Sequence, residues 1–556
     1  MSTLIAALRG GYGTSDLRAD LLAGVTVGII ALPLAMALAI ASGVAPQHGL
    51  YTAIVAGTLV ALTGGSRYSV TGPTAAFVVI LQPISIQFGL GGLLIATFMA
   101  GVIQLAMGVA RFGRLIEFIP HPVTTGFTAG IAVVIASLQV RDLFGLVLAE
   151  PPSHFVERLV ALGGALPTFE PLELAVGVFT FVVIALWSRR KSWLPPHLVG
   201  IVAGTVVAFA AARLLDGAEL ATIGSRFGEI PRALPAPVLP WHFPGPDGAP
   251  LALSWELIRA LVRPAFAIAM LGAIESLLCA VVSDSMAGSK HNPNRELIGQ
   301  GLGNALVPFF GGIAATGALA RSAANVRAGA RTPLAAVFHA LFVLAAVLAL
   351  APLLAWLPMA GLAALLLWVA WNMAEREHFM RILRRAPKSD IAVLLTCFLL
   401  TVLFDMVLAV GVGVVLAALL FMQRMAEVTN TRQWVADTRD ATSVPPTFQV
   451  PDGVRVYEIA GPLFFGAAER AMGALARVDK DTHRVVIDMA SVPAIDATGL
   501  IALESTIARL NRRGIAVALA GVQPQPLRAI VKAGLREGDG LTLHPTVEGA
   551  LSSGAA

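Results

Sequence analysis

The first 425 or so residues alternate uncharged apolar runs with short polar or basic stretches. The runs cover residues 21–41, 50–62, 70–86, 90–109, 123–140, 174–187 and 198–212, and, after a polar Pro-rich loop, 264–282, 297–313, 316–326, 333–352, 359–371, 391–404 and 406–422. A run apolar on every side predicts a helix surrounded by lipid or by other helices. That gives about fourteen segments in two sets of seven. Several, such as 50–62 and 316–326, are too short to cross ~30 Å at about 1.5 Å per residue. Past Arg424 the pattern changes, and short β-rich runs such as RVVIDMA alternate with amphipathic helical ones. This predicts a small α/β domain over about 430–556, behind a membrane domain over 1–425.

The two sets echo each other. GLYTAIVAGTLVALTGGSRYSVTGPTAAF (49–77) and ELIGQGLGNALVPFFGGIAATGALARSAAN (296–325) each pass from an apolar helix through a Gly-Gly pair into a Thr-Gly break. The breaks are Thr71-Gly72 and Thr316-Gly317, and a small-residue helix resumes after each. Seven crossings separate the copies, an odd number, so the repeats should be inverted.

Composition agrees with a membrane protein. Of 556 residues, 56% are hydrophobic and 13% charged, against about a quarter charged in a soluble domain. This excludes disorder, a nucleic-acid-binding body and an ordinary cytosolic enzyme. The 54 Gly and 34 Pro predict interrupted helices, which membranes tolerate. The net charge of +5 lies in short clusters: Arg9 and Arg18, Arg67, Arg111 and Arg114, Arg189-Arg190-Lys191, Lys290 and Arg295, Arg327 and Arg331, and Arg381, Arg384, Arg385 and Lys388. Fourteen crossings put these on one side together with both ends, and the acid-rich loop 216–256 on the other. Positive charge favours the cytoplasmic side, so both termini are expected there. The N-terminus shows no signal-peptide pattern. Cys279 and Cys397 fall inside apolar runs and read as buried structural thiols.

A mid-membrane break cannot face lipid, because its backbone groups would go unsatisfied. Two breaks in matching positions would bring two helix N-termini together, each offering free N–H groups and a positive dipole end. Such an end is worth roughly 0.3–2 kcal/mol to a nearby anion. Pro73 suits the first helical position. The candidate substrate-binding residues are Thr74, Ala75, Ala76 and Phe77 at one break, and Ala320, Arg321 and Ser322 at the other. Arg321 adds a full charge, or packs as a structural partner of an acid. Glu275 is the only acid deep in an uncharged run and reads as a proton carrier or as the partner of Arg321. Asp284 and Glu296 read as interfacial charges, and Asp405 as a solvent-exposed connection. His48, His121 and His339 are isolated and lack metal-ligand spacing. No nucleotide-binding loop or nucleophile–His arrangement is present, so neither cofactor, metal nor enzymatic chemistry is expected, and an ion gradient should supply the driving force.

These stretches resemble the SulP anion transporters, the sulfate permease family. The resemblance rests on DLLAGVTVGIIALPLAMALAIASGVAPQHGLYTA, GPTAAF, ESLLCAVVSD, NRELIGQGLGN and GALARSAANVRAGART, and VVIDMASVPAIDATGL resembles a STAS domain. ALPLAMALAIASGVAPQHGLY and LLCAVVSDSMAGSKHNPNRELIGQGLGN are most similar to the family's bacterial C4-dicarboxylate branch. The resemblance implies seven plus seven inverted repeats, a core domain moving against a gate domain in a homodimer, and a bacterial inner-membrane location. It implies a site at Ala75, Ala76, Phe77, Ala320, Arg321 and Ser322, with Glu275 as the coupling residue. Leu34 and Leu38 stand where many members carry Gln and Tyr, which is compatible with a larger organic anion. Ala497 follows Asp496 where stand-alone STAS proteins carry a phosphorylated Ser, so no phosphoswitch is expected there, although a cytosolic partner is possible. The expected function is proton-coupled uptake of a C4-dicarboxylate such as succinate, fumarate or aspartate. The alternatives are sulfate or bicarbonate transport, or a membrane sensor signalling through the STAS domain.

Overall fold

The computed structural model describes residues 3–114, 120–148, 152, 154–190, 192, 194–215, 220–404, 406–428, 430–434, 450–475, 478, 481–538 and 540–553. It divides into two compact units, Met1–Val414 and Val415–Ala556. The division falls inside the last long helix, whereas the composition changes only past Arg424.

The first half of the membrane unit carries α1 (Thr3–Arg9), α2 (Thr14–Ala41), α3 (Pro46–Thr63), the two-residue strand β1 (Thr71–Gly72), α4 (Ala75–Val109), α5 (His121–Leu143), α6 (Phe155–Gly164), α7 (Pro171–Ser188), α8 (Pro196–Leu214) and α9 (Ile223–Phe227). The second half carries α10 (Trp255–Ala287), α11 (Pro293–Leu306), β2 (Thr316–Gly317), α12 (Leu319–Arg327), α13 (Leu334–Leu354), α14 (Met359–Met373), α15 (Arg376–Arg385), α16 (Lys388–Leu403) and α17 (Met406–Val428). Each of the fourteen apolar runs contains a helix. The runs 70–86 and 90–109 share α4, which bends at Gly89, whose φ of 66° suits glycine. Among the described residues eight helices are long and apolar enough to cross a membrane.

Packing sorts the helices into two groups. α2, α3 and α4 pack against α10, α11, α12 and α13, while α5, α7 and α8 pack with α14 and α16. The apolar core includes Leu34, Leu38, Phe77 and Ile131, each nearly or fully buried; burying one such side chain stabilises by about 1.5–3 kcal/mol. Polar anchors fix the ends. Asp20, buried in α2, accepts from the N–H of Arg331 (2.7 Å) and of Thr332 (3.0 Å), and from Thr332 Oγ1 (2.5 Å).

The second unit is a five-stranded sheet of β3 (Asn430–Trp434), β4 (Val454–Ala460), β5 (Arg484–Asp488), β6 (Ala516–Ala520) and β7 (Leu541–His544), in chain order. β3 is antiparallel to β4 and the remaining pairs are parallel. Helices α18 (Phe465–Ala474), α19 (Ala497–Arg512), α20 (Pro524–Lys532) and α21 (Val547–Ser552) complete it. Val485 and Ile487 share a cluster with Leu503 and Ile507 of α19, while Val486 faces the other way, toward Val547 and Ala550 of α21. Burial on both faces explains the unbroken apolar reading of β5.

Candidate functional site

β1 and β2 pair antiparallel, Thr71 opposite Gly317 and Gly72 opposite Thr316. The two Thr-Gly breaks marked by the sequence are therefore each other's partners. The pairing extends outward: Ala318 N–H donates to Val70 O (2.9 Å), and Val70 N–H donates to Ser322 Oγ (2.8 Å). Each interrupted segment satisfies the other's backbone, as an interruption among apolar helices requires.

A helix starts immediately after each strand. In α4 the N-cap is Thr74, extended at φ −125° and ψ 158°, and in α12 it is Ala318. Neither start has a side-chain cap. Thr74 is of a type that caps well, yet its hydroxyl donates instead to Glu275 Oε2 at 2.9 Å. The first-turn amides of Ala75, Ala76 and Phe77, and of Leu319, Ala320 and Arg321, keep the donor character of a helix start. The expectation that Pro73 opens the helix is corrected. It precedes the N-cap by one residue, because its carbonyl is held by the Arg321 guanidinium and Thr74 stays extended.

The candidate residues divide by position. Arg321 is 1% exposed. One of its terminal nitrogens, Nη2, donates to Pro73 O, while Nε and Nη1 have no hydrogen-bond partner among the described residues. Glu275 is half-buried on α10, and its Oε2 accepts from the Thr74 hydroxyl. A Cβ on Gly72 would overlap the Arg321 guanidinium, so a larger residue there would force the buried arginine to shift. Ser322 is buried and occupied: its Oγ accepts from Val70 N–H and from the Cys279 thiol (3.1 Å). Phe77 is fully buried with its ring tip toward Gly272 of α10, so only its backbone belongs to the helix start. Ala75 and Ala76 are buried, whereas Leu319 and Ala320 are exposed.

A buried polar network that sequence reasoning missed holds β2 in place. Asn304 Nδ2 donates to Ala315 O (2.9 Å) and its Oδ1 accepts from Ala315 N–H (2.8 Å). Gln300 Nε2 donates to the same carbonyl (2.6 Å), and Asn304 Nδ2 reaches Gln104 Oε1 (2.8 Å). Ser276 Oγ accepts from Gly317 N–H (3.1 Å) and bonds Thr316 Oγ1 (2.8 Å). Glu296 is likewise not interfacial. It is 1% exposed, and its Oε2 accepts from the N–H groups of Gly65 and Ser66, each at 2.8 Å. The carboxylate is the acceptor for these two N–H groups, which follow the end of α3. Asp284 closes the α10–α11 loop through the N–H of His291 (2.6 Å). His48 bonds Gly311 O at 2.6 Å, His121 stacks on His378 at 4.6 Å, and His339 is fully buried. Asp405 lies outside the described residues.

The profile of the Sulfate permease family matches residues 17–397, which contain both breaks, Glu275 and Arg321. The chain belongs to the sulfate permease family. A STAS domain profile matches residues 445–550. Among the family's curated members, the putative sulfate transporter YvdB of Bacillus subtilis is 39% identical over 94% of this chain and 95% of its own length. The bicarbonate transporter BicA of Picosynechococcus is 31% identical over 93% of this chain and 91% of its own. In fold, the murine Slc26a9 anion transporter, solved in an inward-facing state, superimposes with a TM-score of 0.85 at 21% identity, over the whole chain (100%) and 94% of its own length. The family's relatives are transporters, and this chain is a membrane protein of the same fold with a C-terminal STAS domain. In that domain Asp496 is the N-cap of α19 and accepts from Gly499 N–H at 2.7 Å, with Ala497 and Thr498 exposed beside it.

Proposed function

We propose that this protein is a secondary transporter that binds a small dianion between the starts of α4 and α12 and carries it together with protons. The observation that supports this most is the paired breaks: two uncapped helix starts flank one strand pair, and the Nε and Nη1 of buried Arg321 beside it have no acceptor among the described residues. Backbone donors, dipole ends and a guanidinium together favour an anion over a neutral ligand. In this reading Thr74, Ala75, Ala76, Phe77, Ala320 and Arg321 bind through backbone or charge, Ser322 holds the two breaks together, and Glu275 takes up the coupled proton. Protonation of Glu275 would remove a competing negative charge as the anion arrives.

The substrate we favour is a C4-dicarboxylate such as succinate, fumarate or aspartate. Leu34 and Leu38 support this, being apolar and buried in one cluster with Phe77. Sulfate or bicarbonate is the second reading, favoured by the names of the relatives YvdB and BicA. Residues 1–425 form the transport domain and 430–556 the STAS domain. Movement is elevator-like, the α2–α4 and α10–α13 group sliding against the α5–α8 and α14–α16 group in a homodimer. The termini face the cytoplasm of a bacterial inner membrane, where the STAS domain is open to a cytosolic partner. Proteoliposome uptake of labelled succinate, sulfate and bicarbonate, with and without an inward proton gradient, tests these assignments. Succinate uptake that the gradient accelerates, and that Glu275→Gln leaves gradient-insensitive, is expected. Uptake of sulfate alone would move the substrate to the second reading, and gradient-insensitive uptake by the wild type would remove the coupling role of Glu275.

A further inference from the structure

The basic cluster nearest the end of the membrane unit lies on one helix. α15 (Arg376–Arg385, REHFMRILRR) joins α14 to α16. The apolar run before it ends at Trp371 and the next begins at Ile391, so residues 372–375 and 386–390 are all that separate α15 from membrane-embedded chain. Tethers this short keep the helix beside the lipid headgroups. Trp371 is 54% exposed, and the Arg376 guanidinium stacks over its ring at 4.5 Å; tryptophan is enriched at that depth of a membrane.

Contacts settle the two faces of α15. Toward the protein, His378 stacks on His121 of α5 at 4.6 Å, and the Phe379 ring meets that of Phe398 on α16 at 5.5 Å. Ile382 and Leu383 are half-buried beside them. Arg381, Arg384 and Arg385 are exposed on the other face, with one acid, Glu377, among them. Arg376 and Lys388 flank this face, and Glu375 and Asp390 lie beyond its ends. Five cations thus stand against three acids. Elsewhere in the unit Arg226 and Arg331 have taken up Asp142 and Asp16, each at 2.6 Å. Among the described residues none of the five cations around α15 is in an ion pair. Arg381 and Arg385 are four residues apart, neighbours on the helix surface, where like charges repel. An anionic layer outside the protein would offset that repulsion. Clusters of about four to eight Lys or Arg beside a spanning helix attract acidic lipid headgroups.

We propose that the exposed face of α15 binds anionic phospholipid headgroups, Arg381, Arg384 and Arg385 donating to phosphate oxygens at the membrane surface. Both helices that α15 packs on, α5 and α16, belong to the α5–α8 and α14–α16 group, so bound headgroups would hold that group at the surface. This consequence rests on the elevator reading; the binding itself does not.

The test uses the purified full chain in phosphatidylcholine vesicles, whose two like leaflets make the direction of insertion immaterial. The protein's own cysteines, Cys279 and Cys397, are buried. Met380→Cys, at the border of the two faces of α15, carries a fluorophore, and Ala386→Cys serves if the first fails to fold. Leu348→Cys, exposed on α13, is the reference site. Quenching is compared between small, equal fractions of phosphatidylglycerol and phosphatidylcholine that bear a nitroxide at the same position near the headgroup. At α15 the phosphatidylglycerol should quench roughly fivefold more effectively, the factor that one arginine at an anionic surface contributes. High salt should erase the preference, as should Arg381→Gln, Arg384→Gln and Arg385→Gln combined, with the melting temperature unchanged. Equal quenching by the two lipids would overturn the proposal and turn this face over to a soluble acidic partner. The same preference at Leu348→Cys, or a preference that survives the triple replacement, would also overturn it. The preference in a protein that takes up no anion would sink the transport reading and leave this surface standing.

Discussion

The two breaks share a backbone and differ in chemistry. Both are Thr-Gly strands followed by uncapped helices, paired residue for residue. The first leads into a 35-residue helix and contributes a threonine turned toward Glu275 and the Pro73 carbonyl that Arg321 holds. The second leads into a helix of only 9 residues and contributes the charge, Arg321, and the tether, Ser322. The first break thus supplies a carbonyl acceptor and the second supplies the guanidinium that binds it and the hydroxyl that ties the two together. Changes at equivalent positions should therefore have unequal effects.

The largest inequality is expected at Arg321. Its replacement by Ala removes a buried charge that holds Pro73 O, and should weaken anion binding by about 2–5 kcal/mol, read as lost uptake and lost anion-induced thermal shift. Ala75→Ser, which leaves the first helix start its backbone donors, should cost far less. Next comes Asn304→Leu, which deprives Ala315 of two hydrogen bonds at the second break. Ala315 O keeps its bond from Gln300 Nε2, but the N–H is left unsatisfied, at a cost of about 1–3 kcal/mol, so a fall in melting temperature is expected.

The two glycines give the sharpest like-for-like comparison. A Cβ at Gly72 lands on the Arg321 guanidinium, whereas at Gly317 its nearest neighbours, Ser69 Oγ, Cys279 Cβ and Ser276 Cα, lie at 3.1–3.2 Å. Gly72→Ala should cost about 1–3 kcal/mol together with most of the uptake, and Gly317→Ala distinctly less of both. The reverse order would contradict the assigned asymmetry. The smallest effect belongs to Thr74→Val, which removes one hydrogen bond to Glu275, about 0.5–1.5 kcal/mol. Its signature is an altered response of uptake to the proton gradient with the protein's melting temperature nearly unchanged.

Much of this was legible in the sequence because apolar run length and Thr-Gly interruption are local signals. The fourteen runs each held a helix, and the positions of both breaks were visible before their pairing was. What stayed hidden depends on distant partners. Gln104 and Asn304 are 200 residues apart in the chain yet bonded, and an uncharged amide inside an apolar run carries no mark of its role. Glu296 stands at a helix start beside a loop, which looks interfacial until Gly65 and Ser66 are seen against it. Pro73 fitted the first helical position by type, but a carbonyl claimed by an arginine 248 residues away shifted the start to Ala75.

The central claim is that both helix starts meet one anion. A structure determined with selenate, located by the anomalous signal of selenium, measures this directly. The account predicts a selenium peak within hydrogen-bonding reach of the Ala75–Phe77 amides, the Leu319 and Ala320 amides and the Arg321 guanidinium. A protein that transports selenate yet shows its peak elsewhere, with the strand pair unliganded, would contradict it.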